Sequence, residues 1–115
     1  MAHICNDCIF HCMDFRFQKA FDGLISYLEI ELGDFDRVSV AGGAGNFDQL
    51  EQHLKLTTYL HDAKTLILTV HEDCGAGATR EDLDKALEIA NKDYPNRNVR
   101  GYFVNLDGSW DEVVS

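Results

Sequence analysis

Basic residues are scarce in this chain. Ten Lys and Arg stand against twenty Asp and Glu over 115 residues, a formal net charge of -10 with the five His counted neutral. A nucleic-acid backbone and an anionic membrane surface both demand clustered cations, so neither is expected as a partner. Long apolar runs are missing as well. Nothing approaches the length that spans a bilayer, and Met1–Cys8 offers neither the basic start nor the apolar stretch of a secretory leader. The expectation is a cytoplasmic protein. Proline occurs once, at Pro95, which leaves room for regular elements almost throughout. Repeats, low-complexity segments and linkers are absent, so residues 1–115 are expected to form a single domain, large enough to bury a core. In a reducing compartment the four cysteines (Cys5, Cys8, Cys12, Cys74) are metal ligands or free thiols rather than a disulfide framework.

What the chain does contain is a regular alternation of apolar runs and helical periodicities. Ile9–Met13 reads as a first strand. Phe17–Leu32 follows as a helix burying Phe17, Ala20, Phe21, Leu24, Ile25 and Leu28, with Gly33 as its stop. Arg37–Ala41 is a second strand, Phe47–His61 a second helix and Lys64–Val70 a third strand. Thr79 caps a third helix that runs to Asp93, with Glu81 and Asp82 in the first turn where the helix dipole favours them. Val99–Leu106 is a fourth strand; Asp107-Gly108 turns it back into Trp110–Val114. The predicted fold is therefore a three-layer α/β fold. Its central sheet is mostly parallel, in the order 2-1-3-4, with an antiparallel edge strand 5.

The chemistry is concentrated in His71-Glu72-Asp73-Cys74-Gly75, at the end of the buried third strand. An imidazole and a thiol spaced i, i+3 on a glycine-rich turn can face one point, as a metal needs. Ligands of open parallel sheets bind outside the carboxyl ends of the strands, where the strand order reverses. That crevice lies between strands 1 and 3, and Cys12 ends strand 1. Strands about 5 Å apart would let Cys12, His71 and Cys74 reach one ion. Two thiolates and an imidazole suit zinc and leave a fourth position open, the mark of a catalytic site. The plainer alternative makes Cys12 and Cys74 small buried apolar side chains and His71 a hydrogen-bonded loop residue. Asp14 and Arg16, taken alone, read as a surface ion pair two residues apart. Gly42-Gly43-Ala44-Gly45-Asn46 lies between a strand and a helix, as a phosphate loop would, yet matches neither dinucleotide nor Walker spacing. Close backbone approach to the crevice explains these glycines, and Gly75-Ala76-Gly77, equally well. Cys5 and Cys8 with His3 and His11 invite a second metal site. Cys8 and Cys12, about 13 Å apart in a strand, cannot share an ion, so free thiols are expected there. His53 and His61 are expected to be exposed.

These residues carry a family resemblance. Cys12-Met13-Asp14-Phe15-Arg16 resembles the C-x-D-x-R motif of the β-class carbonic anhydrases, and His71-Glu72-Asp73-Cys74-Gly75 their H-x-x-C-G motif. Ala44-Gly45-Asn46 is similar to the tripeptide that follows the family's second strand, and Tyr102–Val114 to its closing hairpin. The resemblance covers nearly all of the chain from Ile9 onward. It implies Zn2+ held by Cys12, His71 and Cys74, with Asp14 and Arg16 as a catalytic dyad beside the metal. It implies reversible hydration of carbon dioxide to bicarbonate by a zinc-bound hydroxide, in a homodimer or higher homo-oligomer. The same ligands would serve a carbonyl sulfide or carbon disulfide hydrolase, and a non-catalytic zinc-binding domain could keep the fold without the activity. The sequence departs from the family in its shortness, in lacking the N-terminal helices that embrace a partner subunit, in Phe15 where a small hydroxyl residue is common, and in Gly42-Gly43 where arginine-asparagine is common. These departures bear on catalytic efficiency more than on metal binding.

Overall fold

The strands form where the apolar runs lie. A computed structural model describes residues 3–114. Its elements are β1 (Asp7–Cys12), α1 (Gln18–Tyr27), β2 (Phe35–Val40), α2 (Phe47–His61), β3 (Thr65–His71), α3 (Arg80–Asp93), β4 (Asn98–Val104) and β5 (Trp110–Val113), with short 3-10 turns at Phe15–Phe17 and Gly43–Gly45. The sheet order is β2-β1-β3-β4-β5, parallel except for the antiparallel β4–β5 pair. This is the architecture that the alternation of strand and helix patterns predicts.

Both faces of the central strands are covered, which is why they read as unbroken apolar runs rather than alternating ones. Cys8 and Phe10 of β1 and Leu66, Leu68 and Val70 of β3 pack with Leu50 and Leu54 of α2 and Leu83, Ala86, Leu87 and Ala90 of α3. The intervening Ile9 and Ile67 face the other way, against Leu24 and Ile25 of α1 and Tyr102 of β4. The helix starts follow local capping chemistry. The Asn46 side chain accepts from the Gln49 amide at α2, and Thr79 with Asp82 closes a reciprocal capping box at α3.

Helix α1 ends earlier than its periodicity predicts, at Tyr27 rather than Leu32. The Glu29 amide donates to the Ser26 carbonyl and the Ile30 amide to the Ile25 carbonyl, the paired bonds of a Schellman stop. Glu29 takes the left-handed conformation there, with φ 57°, a position that usually goes to Gly. Leu32, expected at the end of the helix, is exposed.

The feature that positions the candidate site is a parting of strands. β1 pairs with β2 as far as Cys12–Val40, but its pairing with β3 stops at Phe10–Leu68. Beyond that point the buried Thr69 hydroxyl donates to the Phe10 carbonyl at 2.7 Å, replacing a ladder bond. The 3-10 turn Gly43–Gly45 sits against the gap. Gly43 has φ 55°, and a Cβ there would stand 2.7 Å from the Thr69 carbonyl oxygen and 3.0 Å from the Cys12 nitrogen. The close backbone approach expected of the first glycine-rich loop is real, whereas added Cβ atoms at Gly75 and Gly77 would meet open space. Because the obstacles at Gly43 are backbone atoms, Gly43→Ala should cost about 2–3 kcal/mol of folding stability, combining left-handed strain with overpacking. Urea unfolding of the two proteins measures it; a difference under about 0.5 kcal/mol, the scale of a surface substitution, would contradict this account of the wedge.

Candidate metal centre

Cys12 ends β1 and His71 ends β3, on either side of the parted strands, and Cys74 follows three residues later. Their donor atoms, two sulfurs and one imidazole nitrogen, all lie within 4.8 Å of one another. Cys12 and His71 are buried, and Cys74 is partly exposed at the mouth. The Gly42 amide, which the left-handed Gly42 turns inward, donates to the Cys12 sulfur at 3.4 Å.

Two histidines are buried here, and their hydrogen bonds separate them. His11 Nδ1–H donates to the Cys12 carbonyl at 2.9 Å, and its Nε2 accepts from Arg37 Nε at 2.7 Å. Both nitrogens are satisfied, the ring stacks on Phe21, and burial foremost holds its pKa below the ordinary value. It is a structural residue. His71 Nδ1 lies 2.7 Å from the Glu72 carbonyl, which can only accept, so Nδ1 carries the proton and Nε2 presents a lone pair. That Nε2 is buried and has no hydrogen-bond partner. A buried polar atom left unpaired costs about 1–3 kcal/mol and requires an explanation; the other such atom among the described residues, the Tyr102 hydroxyl, lies on β4 away from the sulfurs. Aimed at two sulfurs, His71 Nε2 fits a divalent cation: the donor set is that of zinc, with the tautomer fixed by the outer hydrogen bond. Phe17 stacks on the ring with centroids 4.0 Å apart and holds its plane.

Asp14 and Arg16 lie beside this set. Asp14 Oδ2 is 3.8 Å from His71 Nε2. The Arg16 guanidinium grips both Asp14 carboxylate oxygens, with Nε at 3.2 Å from each and NH2 2.8 Å from Oδ2, and the Arg16 amide donates to Oδ1 at 2.9 Å. These bonds to Arg16 lower the Asp14 pKa to about 2, so it stays ionised at neutral pH. The pair is therefore more than a surface contact between near neighbours in sequence.

Two parts of the arrangement escaped the sequence. Arg16 also donates to the Asp73 carboxylate at 3.1 Å and to the Asp73 carbonyl at 2.9 Å, tying the first motif to the second across 57 residues. Asp73 takes the sharp turn of the second motif with φ 56°, the conformation expected of its glycines. Gln18 Nε2 donates to the Cys12 and Asp14 carbonyls, at 3.1 and 2.8 Å, and fixes the segment that carries both side chains. The one signal for Asp73 was its place inside the histidine–cysteine spacing. A cleft of about 400 Å³ opens onto the site, lined by Cys12, Met13, Asp14, Phe15, Arg16, Ala41, Gly75 and Ala76.

The molecule is thus an α/β fold with a cysteine–histidine–cysteine donor set at the carboxyl edge of its sheet. No protein-family model matches the chain. An uncharacterised protein of Rickettsia bellii is 27% identical over 89% of this chain and 77% of its own length. Among solved structures, a carbonic anhydrase from Glaciozyma antarctica superposes with a TM-score of 0.75 at 15% identity, over 99% of this chain and 85% of that one. A tetrameric β-carbonic anhydrase from Sordaria macrospora gives 0.67 at 10% identity, over 99% and 83%. The apo form of a carbon disulfide hydrolase gives 0.63 at 17% identity, over 93% and 77%. The fold is that of the β-carbonic anhydrases.

The Arg16 contacts make a direct prediction. Replacing the cation by a neutral side chain in Arg16→Gln removes the bonds that favour the Asp14 carboxylate, so its pKa should rise from about 2 toward the ordinary value near 3.9. Carboxyl-detected NMR titration of the metal-free protein follows it, and an unchanged Asp14 titration would remove Arg16 from its control.

Proposed function

We propose that this chain is a zinc lyase of the β-carbonic anhydrase type, hydrating carbon dioxide reversibly to bicarbonate at Cys12, His71 and Cys74. The observation that carries the reading is the buried His71 Nε2, which has no hydrogen-bond partner and faces the Cys12 and Cys74 sulfurs. Zinc bound there would supply the Lewis acidity that makes a water molecule a nucleophile. The chain's own residues do the rest. Cys12 takes its hydrogen bond from the Gly42 amide, and His71 keeps its lone pair toward the site by donating Nδ1–H to the Glu72 carbonyl. Asp14 is held ionised by Arg16 and stands 3.8 Å from His71 Nε2, where it would accept a hydrogen bond from a nucleophile at the metal and orient its lone pair toward carbon dioxide. Met13, Phe15, Ala41 and Ala76 line the mouth with apolar surface suited to a small uncharged substrate. Met13 and Phe15 are 64% and 86% exposed, and a second copy of the chain covering them would enclose the cleft.

A carbonyl sulfide or carbon disulfide hydrolase is the second reading, supported by the same donor set and by the likeness to a carbon disulfide hydrolase. A zinc-binding domain without catalysis is the third. Stopped-flow assays with each substrate, on protein of measured zinc content, separate them.

Asp14→Ala should keep its zinc and lose about 10–100-fold in carbon dioxide hydration, the usual cost of removing an orienting partner beside a metal. Cys12→Ser and His71→Ala should lose both zinc and rate. An unaltered rate in Asp14→Ala at full zinc content would remove Asp14 from the mechanism. Cys12 and Cys74 as thiolates would neutralise the charge of a zinc ion held there, and would make a water on it less acidic than beside three histidines, where the pKa is about 7. The hydration rate should accordingly climb from neutral toward alkaline pH, and a flat profile between about pH 6 and 9 would contradict the anionic donor set.

A further inference from the structure

The other end of β1 carries a second cluster. Just before the strand begins, the Cys5 amide donates to the His61 carbonyl at 3.1 Å, while the Asn6 amide donates to Asp34 Oδ1 at 3.0 Å and Asn6 Nδ2 to Asp34 Oδ2 at 2.6 Å. These bonds pin the entering segment between the end of α2 and the start of β2. Asp36, near the start of β2, is held in turn. Its Oδ2 accepts from the Thr57 hydroxyl at 2.7 Å and lies 2.7 Å from His61 Nδ1. The outcome is a thiol, a carboxylate and an imidazole, each offering one donor atom within 4.8 Å of the other two. They share a cleft of about 230 Å³ whose wall also includes His3 and Gly33.

We propose that Cys5, Asp36 and His61 form a second divalent-metal site for zinc or a comparable borderline ion. It lies at the amino edge of the sheet, on the order of 20 Å from the Cys12 cluster by the rise of the strand. Sulfur, nitrogen and oxygen donors together suit zinc. A thiolate and a carboxylate balance the ion's two charges. Cys8 takes no part. It is fully buried among the apolar residues under α2 and α3, its thiol pushed up to about 12 by that burial, and no ion reaches it. The pairing of Cys5 with His61 and Asp36 is thus built by the fold rather than by the cysteine spacing. A metal here would fasten residues 3–6 to β2 and α2.

The test uses the whole chain in a background with the carboxyl-edge set disabled. Metal-free Cys12→Ala protein is titrated with Zn2+ against a chromophoric chelator, and with Co2+ by absorption. It should bind one Zn2+ per chain and develop thiolate-to-cobalt charge transfer, and the Cys12→Ala/Cys5→Ala protein should do neither. Asp36→Asn in the same background keeps the shape of the side chain and should weaken Zn2+ binding by at least about ten-fold. Zinc uptake that is absent in Cys12→Ala, or equal with and without Cys5, overturns the second site. The single variants keep the two sites distinct. Cys5→Ala should retain one zinc, lost only when Cys12 is also replaced, and this holds or fails independently of catalysis at the carboxyl edge.

Discussion

The parting of β1 from β3 beyond Phe10 and Leu68 governs this molecule's chemistry. Up to that pair, the strands exchange backbone bonds and their side chains are core. Past it, the backbone needs other partners: the Thr69 hydroxyl donates to the Phe10 carbonyl and Gln18 Nε2 to the Cys12 carbonyl, while the close-packed Gly43 turn fills the gap. The same departure from the ladder lets Cys12 and His71 lean toward a common point instead of standing side by side in the sheet. A reversal of strand order creates such a crevice in any doubly wound sheet. Here the residues that end the two strands are a thiol and an imidazole.

Within the crevice, long-range bonds decide what each group does. His11 and His71 are both buried, both at the ends of parallel strands and both stacked on phenylalanines of the same face. Only the Arg37 contact to His11 makes one of them inert and leaves the other with a free nitrogen. Arg16 similarly acts on two segments at once. It holds Asp14 next to His71 and stabilises the left-handed turn at Asp73, so the two motifs share a single cation. Packing sets the distances and hydrogen bonding sets the protonation states. Metal chemistry needs both.

Much of this was legible in the chain itself, for identifiable reasons. The extent of α2 and the capping of α3 could be read because Asn46 and Thr79 act on amides a few residues away, and such signals are local. The donor set of the carboxyl edge could be assembled because sheet topology follows from the alternation of elements. The end of α1 was hidden: its stop is a backbone motif that Glu29 adopts against its own preference, while Gly33 serves a later turn at φ 87°. Asp73 and Gln18 were invisible because their partners are set by tertiary folding. So was the meeting of Cys5 with Asp36 and His61, which are 31 and 56 positions away. His61, expected to be exposed, is instead half-buried and paired with Asp36.

The far border of the sheet has a consequence of its own. β5 is four residues long, and Asp111 and Glu112 stand exposed on it, with Arg100 already engaged by Glu112. A short, acidic border offers few free amides to an incoming strand and repels an identical one. Lateral growth of this sheet into a filament is therefore disfavoured at β5.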